Sequence, residues 1–80
     1  MGIDIVEHKK NPIHGIVTTF DPFKGYGFIR RAEGKDVFFY YDDICDEDKN
    51  LTKGDKVEFI LEIEKKGPKA YAVKKIGEAY

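Results

Sequence analysis

Hydrophobic residues recur at every second position along most of this chain. In "KVEFILEIE" (56–64), Val57, Phe59, Leu61 and Ile63 fall on one face and Lys56, Glu58, Glu62 and Glu64 on the other, with only Ile60 out of step. A helical stripe would collect only Phe59, Ile60 and Ile63, so the stretch predicts a strand. The same period marks five strand-like runs, about 13–20, 25–31, 36–41, 54–64 and 69–76. Turn chemistry separates them: "DPFKG" at 21–25, "EGK" at 33–35, a polar stretch over 42–53 and "KKGPK" at 65–69. Residues 1–12 end in Asn11-Pro12 and are expected as a loosely attached arm, with room for an edge strand at 3–6. Residues 77–80 are expected as a C-terminal tail.

Five short strands cannot make two well-filled sheets. Curling into one small antiparallel barrel removes most exposed edges and encloses a single core, so the fold class is all-β. The inward set predicted by alternation is Val17, Ile29, Val37, Phe39, Val57, Phe59, Leu61 and Val73.

Alternation also divides the aromatic residues. "KGYGFIRR" (24–31) and "DVFFYYDD" (36–43) are dense in rings, and eight of the chain's eleven aromatic residues lie between 20 and 41. With Gly27 and Ile29 inward, Tyr26, Phe28 and Arg30 point outward; with Val37 and Phe39 inward, Phe38 and Tyr40 do. A hairpin of these two strands sets the outward groups side by side, with Lys24 and Arg30 at the ends. Gly25 and Gly27 are expected to keep the surrounding surface low, so that a flat partner can approach. Such a surface suits unstacked nucleobases, with lysine or arginine meeting phosphates. The same rings could instead cover the barrel or pair across strands to stabilise the hairpin.

Composition narrows the options without choosing between them. The chain has 80 residues, enough for one domain, and 14 Lys and Arg against 15 Asp and Glu. Near-neutrality does not favour a general polyanion binder, but it leaves the placement of charge open. A single cysteine excludes an internal disulfide and fits a reducing compartment. The N-terminus lacks the apolar middle of a signal peptide, and no apolar run reaches membrane-spanning length, so a cytoplasmic chain with no membrane partner is expected.

Catalytic chemistry has little to stand on. No serine is present, and Cys45 sits in "DDICDED", an acidic setting that disfavours a thiolate. Cys45 is expected as a small filler beside Ile44. His8 and His14 lie six positions apart without a metal-ligand pattern. Gly25-x-Gly27 continues with Arg30 where a nucleotide fingerprint needs a third glycine, and a strand follows instead of a helix. The acids of 42–48 lack calcium-loop spacing and its turn glycine. The reading is therefore a non-enzyme with no catalytic residues, no metal and no cofactor.

The motifs resemble a known family. "GIVTTFDPFKGYGFIRR", "KDVFFYYDDI" and "LTKGDKVEFILEIEKKGPKAYAVKKI" together are similar to the cold-shock domain, in order and over about residues 13–76. Lys24–Ile29 matches its first ribonucleoprotein motif, Asp36–Tyr41 matches its second, and Lys66-Gly67-Pro68 stands before the last strand. The resemblance implies a five-stranded OB-type barrel, expected as a monomer, that binds single-stranded RNA or DNA as an RNA chaperone or as a regulator of transcription or translation. It implies binding roles for Lys24, Tyr26, Phe28 and Phe38, with Arg30, Tyr40, Tyr41, Phe20 and Lys66 completing the expected interface. Tyr40 stands where the family usually has histidine, Tyr41 where it has phenylalanine and Asp21 where it has asparagine. Thr19 takes the place of an exposed tryptophan and Thr18 that of a lysine. Each departure removes a ring or positive charge, exchanges one ring for another, or adds a negative charge. The alternative is therefore a cold-shock-like barrel with weakened nucleic-acid affinity whose face takes a protein partner. The acids of 42–48 are expected to lie near the phosphate path, with Asp42 capping a short helical turn over 43–48.

Overall fold

The computed structural model describes residues 11–47 and 49–78; the edge strand expected at 3–6 lies outside them. Five strands follow one another: β1 (Ile13–Asp21), β2 (Tyr26–Arg30), β3 (Val37–Tyr40), β4 (Lys56–Glu64) and β5 (Gly67–Gly77). A single 3-10 turn, Tyr41–Asp43, follows β3. Around the closed barrel the order is β1-β2-β3-β5-β4. The first half of β1 pairs with β4 (Ile13 opposite Phe59) and its second half with β2 (Val17 opposite Ile29). One parallel pairing, Phe38 opposite Lys69, brings β5 beside β3. The strands thus form an all-β barrel of the OB type, antiparallel apart from that closing contact, and a second parallel bridge, Ile44 to Val73, lies just beyond β3.

Seven of the residues expected inside are completely buried: Val17, Ile29, Val37, Phe39, Val57, Phe59 and Val73. Ile44, Leu51 and Ala70 join them. Ile44 and Leu51 lie outside the alternating runs, so a period of two cannot find them. Leu61 is only partly buried, and Ile63, placed by alternation on the same face, is 70% exposed. The reason is topological. Only Lys56–Phe59 of β4 pair with β1; beyond them β4 pairs with β5 alone, and the hairpin leaves the barrel.

Three bulges reset the alternation. Val17 pairs with Ile29 and Thr19 with Phe28, so Thr18 is the extra residue. Val17 and Phe20, three positions apart, therefore both turn inward. In β5 one extra residue falls between Tyr71 and Lys74, where Ala72 has φ +53°, and another between Lys75 and Gly77.

The segment between β3 and β4 is held by Asp55, which is buried. Its Oδ2 accepts the Thr52 N–H at 2.8 Å and lies 3.5 Å from Lys75 Nζ. Its carbonyl accepts the Val17 N–H at 2.9 Å, tying the segment to β1. Cys45 is exposed, not the buried filler expected beside Ile44. Its N–H donates to the Val73 carbonyl at 2.7 Å while its side chain turns outward.

Candidate nucleic-acid interface

Strand register assembles the ring face. Tyr26 stands opposite Tyr40 and Phe28 opposite Phe38, so four rings share one outer surface of β2 and β3. Phe38 is the hub. Its ring centre lies 5.5 Å from Tyr26, 5.6 Å from Phe28 and 4.7 Å from Tyr40, the last two edge-to-face. Edge-to-face packing suits the aromatic quadrupole and holds each ring against its neighbours. Tyr26, Phe28 and Phe38 are half-buried and Tyr40 is exposed. The face is firm, yet it leaves ring surface open to a ligand.

Phe20 and Tyr41 stand apart from this group. After the bulge, Phe20 pairs with Gly27 and turns inward, stacking on Phe39 with centroids 5.7 Å apart. Tyr41 has left β3 for the 3-10 turn and stacks on the other side of Phe20 at 6.4 Å. Three near-parallel rings thus run from core to surface, with Lys49 Nζ 5.1 Å from the outermost, Tyr41. Gly27 does not keep the outer surface low. It is buried, and a Cβ there would come 2.3 Å from the Thr19 carbonyl oxygen and 2.8 Å from the Phe39 ring. Glycine is required there by the core.

The turn before β2 is firmly tied. Asp21 Oδ1 accepts the N–H groups of Phe23 (3.0 Å) and Lys24 (3.2 Å), and its carbonyl accepts that of Gly25 (2.8 Å). Gly25 takes φ +80°, which a side chain would resist, and its carbonyl accepts the Tyr41 N–H at 2.8 Å. Phe23, at the turn's tip, is fully exposed.

The positive charges are distributed unevenly. Lys24 and Lys66 are exposed, and Arg30 is mostly exposed with Asp36 3.7 Å away. Lys69, beside Phe38 on β5, is buried: its Nζ donates to Asp43 Oδ2 at 2.7 Å and lies 5.0 Å from the Tyr40 ring centre and 3.7 Å from that of Tyr71. Its charge is consumed internally. Tyr71 donates its hydroxyl to Glu64 Oε2. That bond, with partial burial and the nearby carboxylates of Glu64, Asp43 and Glu62, pushes the phenol up to about 12.

The acidic segment is also used internally. Asp43, not Asp42, caps the turn, accepting the Tyr40 N–H at 2.8 Å, and the turn ends at Asp43 instead of running to 48. Asp46 Oδ2 accepts the Lys75 N–H at 2.9 Å. Asp42 and Glu47 are exposed, and Asp48 is outside the described residues. Two of the acids expected along a phosphate path are thus structural acceptors.

Sequence reasoning missed Lys69, Tyr71 and Glu64. A groove of about 360 Å³ opens between the ring face and the β4–β5 turn, with Phe28, Phe38 and Tyr40 on one side and Glu64, Lys66 and Pro68 on the other. Lys66-Gly67-Pro68 was the one signal for it. The parallel β3–β5 contact that brings the turn beside the rings has no local sequence signature.

A closed five-stranded barrel carrying a continuous aromatic face defines a small OB-type module. The family model described as the 'Cold-shock' DNA-binding domain matches residues 13–76, and the chain belongs to that family. It is 49% identical over 65 residues to the retron Se72 cold shock-like protein of Salmonella heidelberg (strain 579083-10), an alignment covering 79% of this chain and 97% of that protein. It is 48% identical over 63 residues to a cold shock-like protein of Thermotoga maritima, covering 78% and 96% respectively. Among solved structures, a chain described as "drosophila Unr CSD456" superposes with a TM-score of 0.71 at 22% identity. It covers 84% of this chain but only 27% of its own length is matched, and at that identity the likeness concerns the fold.

Proposed function

We propose that the chain binds single-stranded nucleic acid by stacking unpaired bases on Tyr26, Phe28, Phe38 and Tyr40. Lys24, Arg30 and Lys66 meet the phosphates at the rim. Tyr41 extends the ring surface, and Phe20 backs it from beneath. The observation that carries this reading is the ring face itself: four contiguous rings, three half-buried and one exposed, held edge-on by one another beside exposed cations. Family membership and the family's description as a DNA-binding domain support it. The barrel over 13–76, extended by Gly77 at the end of β5, acts as the binding unit. It works as a cytoplasmic monomer without catalytic chemistry, as an RNA chaperone or a regulator of transcription or translation.

The test is titration of labelled single-stranded RNA and DNA at two salt concentrations, with duplex as competitor. Phe28→Ala and Phe38→Ala should each weaken binding by about 1–3 kcal/mol, the loss of one stacking platform. Duplex should compete poorly, because the face has no element that enters a groove. Equal competition by duplex would remove the stacking mechanism.

A second reading is favoured by two observations: Lys69 is neutralised by Asp43, and Phe23 is fully exposed. On it, nucleic-acid affinity is weak and the face takes a protein. Absence of single-strand binding at low salt would favour it.

A further inference from the structure

The groove beside the rings has an unusual chemical lining for a stacking site. One side is aromatic, with Phe38 and Tyr40; the other carries a carboxylate, Glu64, and an ammonium, Lys66. A carboxylate beside a strand of phosphates repels it, so a nucleic-acid face gains from Glu64 only if the group meets something other than phosphate. Glu64 is also held. The Tyr71 hydroxyl donates to its Oε2, which leaves Oε1 and the remaining lone pair of Oε2 as acceptors.

Resting on the reading of the face as a single-strand site, we propose that this groove selects guanine, with Glu64 as the specificity-determining residue and Tyr71 as the residue that positions it. The reason lies in the edges of the bases. A carboxylate presents two acceptors side by side, and guanine alone offers two adjacent donors on its pairing edge, N1–H and the N2 amino group. Cytosine and adenine each offer one amino group next to a ring nitrogen that accepts. Uracil offers one N–H between two carbonyls. In each of these three, an acceptor is turned toward the carboxylate. A guanine stacked on the rings would direct its two donors to Glu64. Its O6, an acceptor, lies on the same side and suits the Lys66 ammonium. Lys69 takes no part, because Asp43 already holds its ammonium.

The experiment compares otherwise identical uridine-only RNA strands carrying one central guanosine, inosine, adenosine or no substitution. Inosine keeps N1–H but lacks the N2 amino group. The guanosine strand should bind about tenfold more tightly than the uridine strand and several-fold more tightly than the inosine strand, the scale of a bidentate base contact at an exposed site. E64Q should move two quantities in opposite directions. It should abolish the guanosine preference while tightening the uridine strand at low salt, because a repulsive charge is removed. Y71F should reduce the preference in part, by releasing Glu64 from its orientation. A stability defect alone would lower every affinity together. If the wild type binds all four strands equally, or E64Q keeps the preference, the guanine assignment is overturned while single-strand binding stands. If no strand binds, the parent reading fails and the assignment falls with it.

Discussion

At Gly27 the barrel has no room for one methyl group. A Cβ there meets the Thr19 carbonyl and the Phe39 ring at distances that real contacts do not reach, and neither a backbone carbonyl nor a core ring can move aside freely. Gly27→Ala should therefore cost about 1–3 kcal/mol, the range for overpacking a filled core, read as a fall in denaturant midpoint with an unchanged slope. Asp43 is a residue-scale feature of a different kind. It caps the turn at Tyr40 and holds a buried ammonium at once. Asp43→Ala leaves a backbone N–H and the Lys69 charge without that partner, and should cost about 1–3 kcal/mol. Asp42 is exposed, so Asp42→Ala should leave the midpoint within about 0.5 kcal/mol of the wild type.

Strand-scale parity depends on the bulges. In β5, Ala72 occupies the left-handed region at φ +53°, where a Cβ is disfavoured by about 1–2 kcal/mol. Glycine relieves that cost but gives the unfolded chain more freedom, which returns about 0.4–1 kcal/mol. Ala72→Gly should thus be neutral or stabilising by up to about 1.6 kcal/mol. Ala72→Val should destabilise, because a β-branched side chain fits that region worst. Thermal unfolding of the three forms checks the order. Were valine tolerated as well as glycine, β5 would not bend at Ala72.

At the scale of the whole molecule, few of the described cations stand beside the ring face. Lys24, Lys66 and Arg30 lie around the rings, while Lys69 is held by Asp43. With two or three phosphates neutralised, log affinity should fall with log salt at a slope of about −1.5 to −2, against steeper slopes for more basic binders. A slope near zero would remove phosphate contact from the proposal. Alkaline stability depends on the fold in a related way. The Tyr71 phenol is held to about 12, against an ordinary 10 when unfolded. Between those values unfolded chains lose this proton and folded ones keep it. The contribution is complete below pH 10 and disappears as pH rises toward 12. Tyr71→Phe should lack that part of the alkaline decline, and the tyrosinate signal that titrates near pH 12 should be missing from its ultraviolet absorbance.

Period-two alternation, turn residues and the two ring motifs were enough to determine five strands, an all-β barrel, seven of its buried residues and the four rings that share β2 and β3. These are local properties: each depends on which neighbours lie one or two positions away, or across one hairpin. What required the tertiary structure was everything set by closure and by irregularity. A bulge at Thr18 decided that Phe20 faces the core, because one inserted residue reverses the face of all that follow. The departure of β4 from β1 after Phe59 decided that Ile63 is bare although its parity is inward. The parallel contact between Phe38 and Lys69 brought Lys69, Tyr71 and Glu64 to the edge of the ring face from more than twenty positions away. It also paired Lys69 with Asp43 as an internal ion pair. Contacts of that separation depend on how the barrel closes, which no short window of sequence encodes.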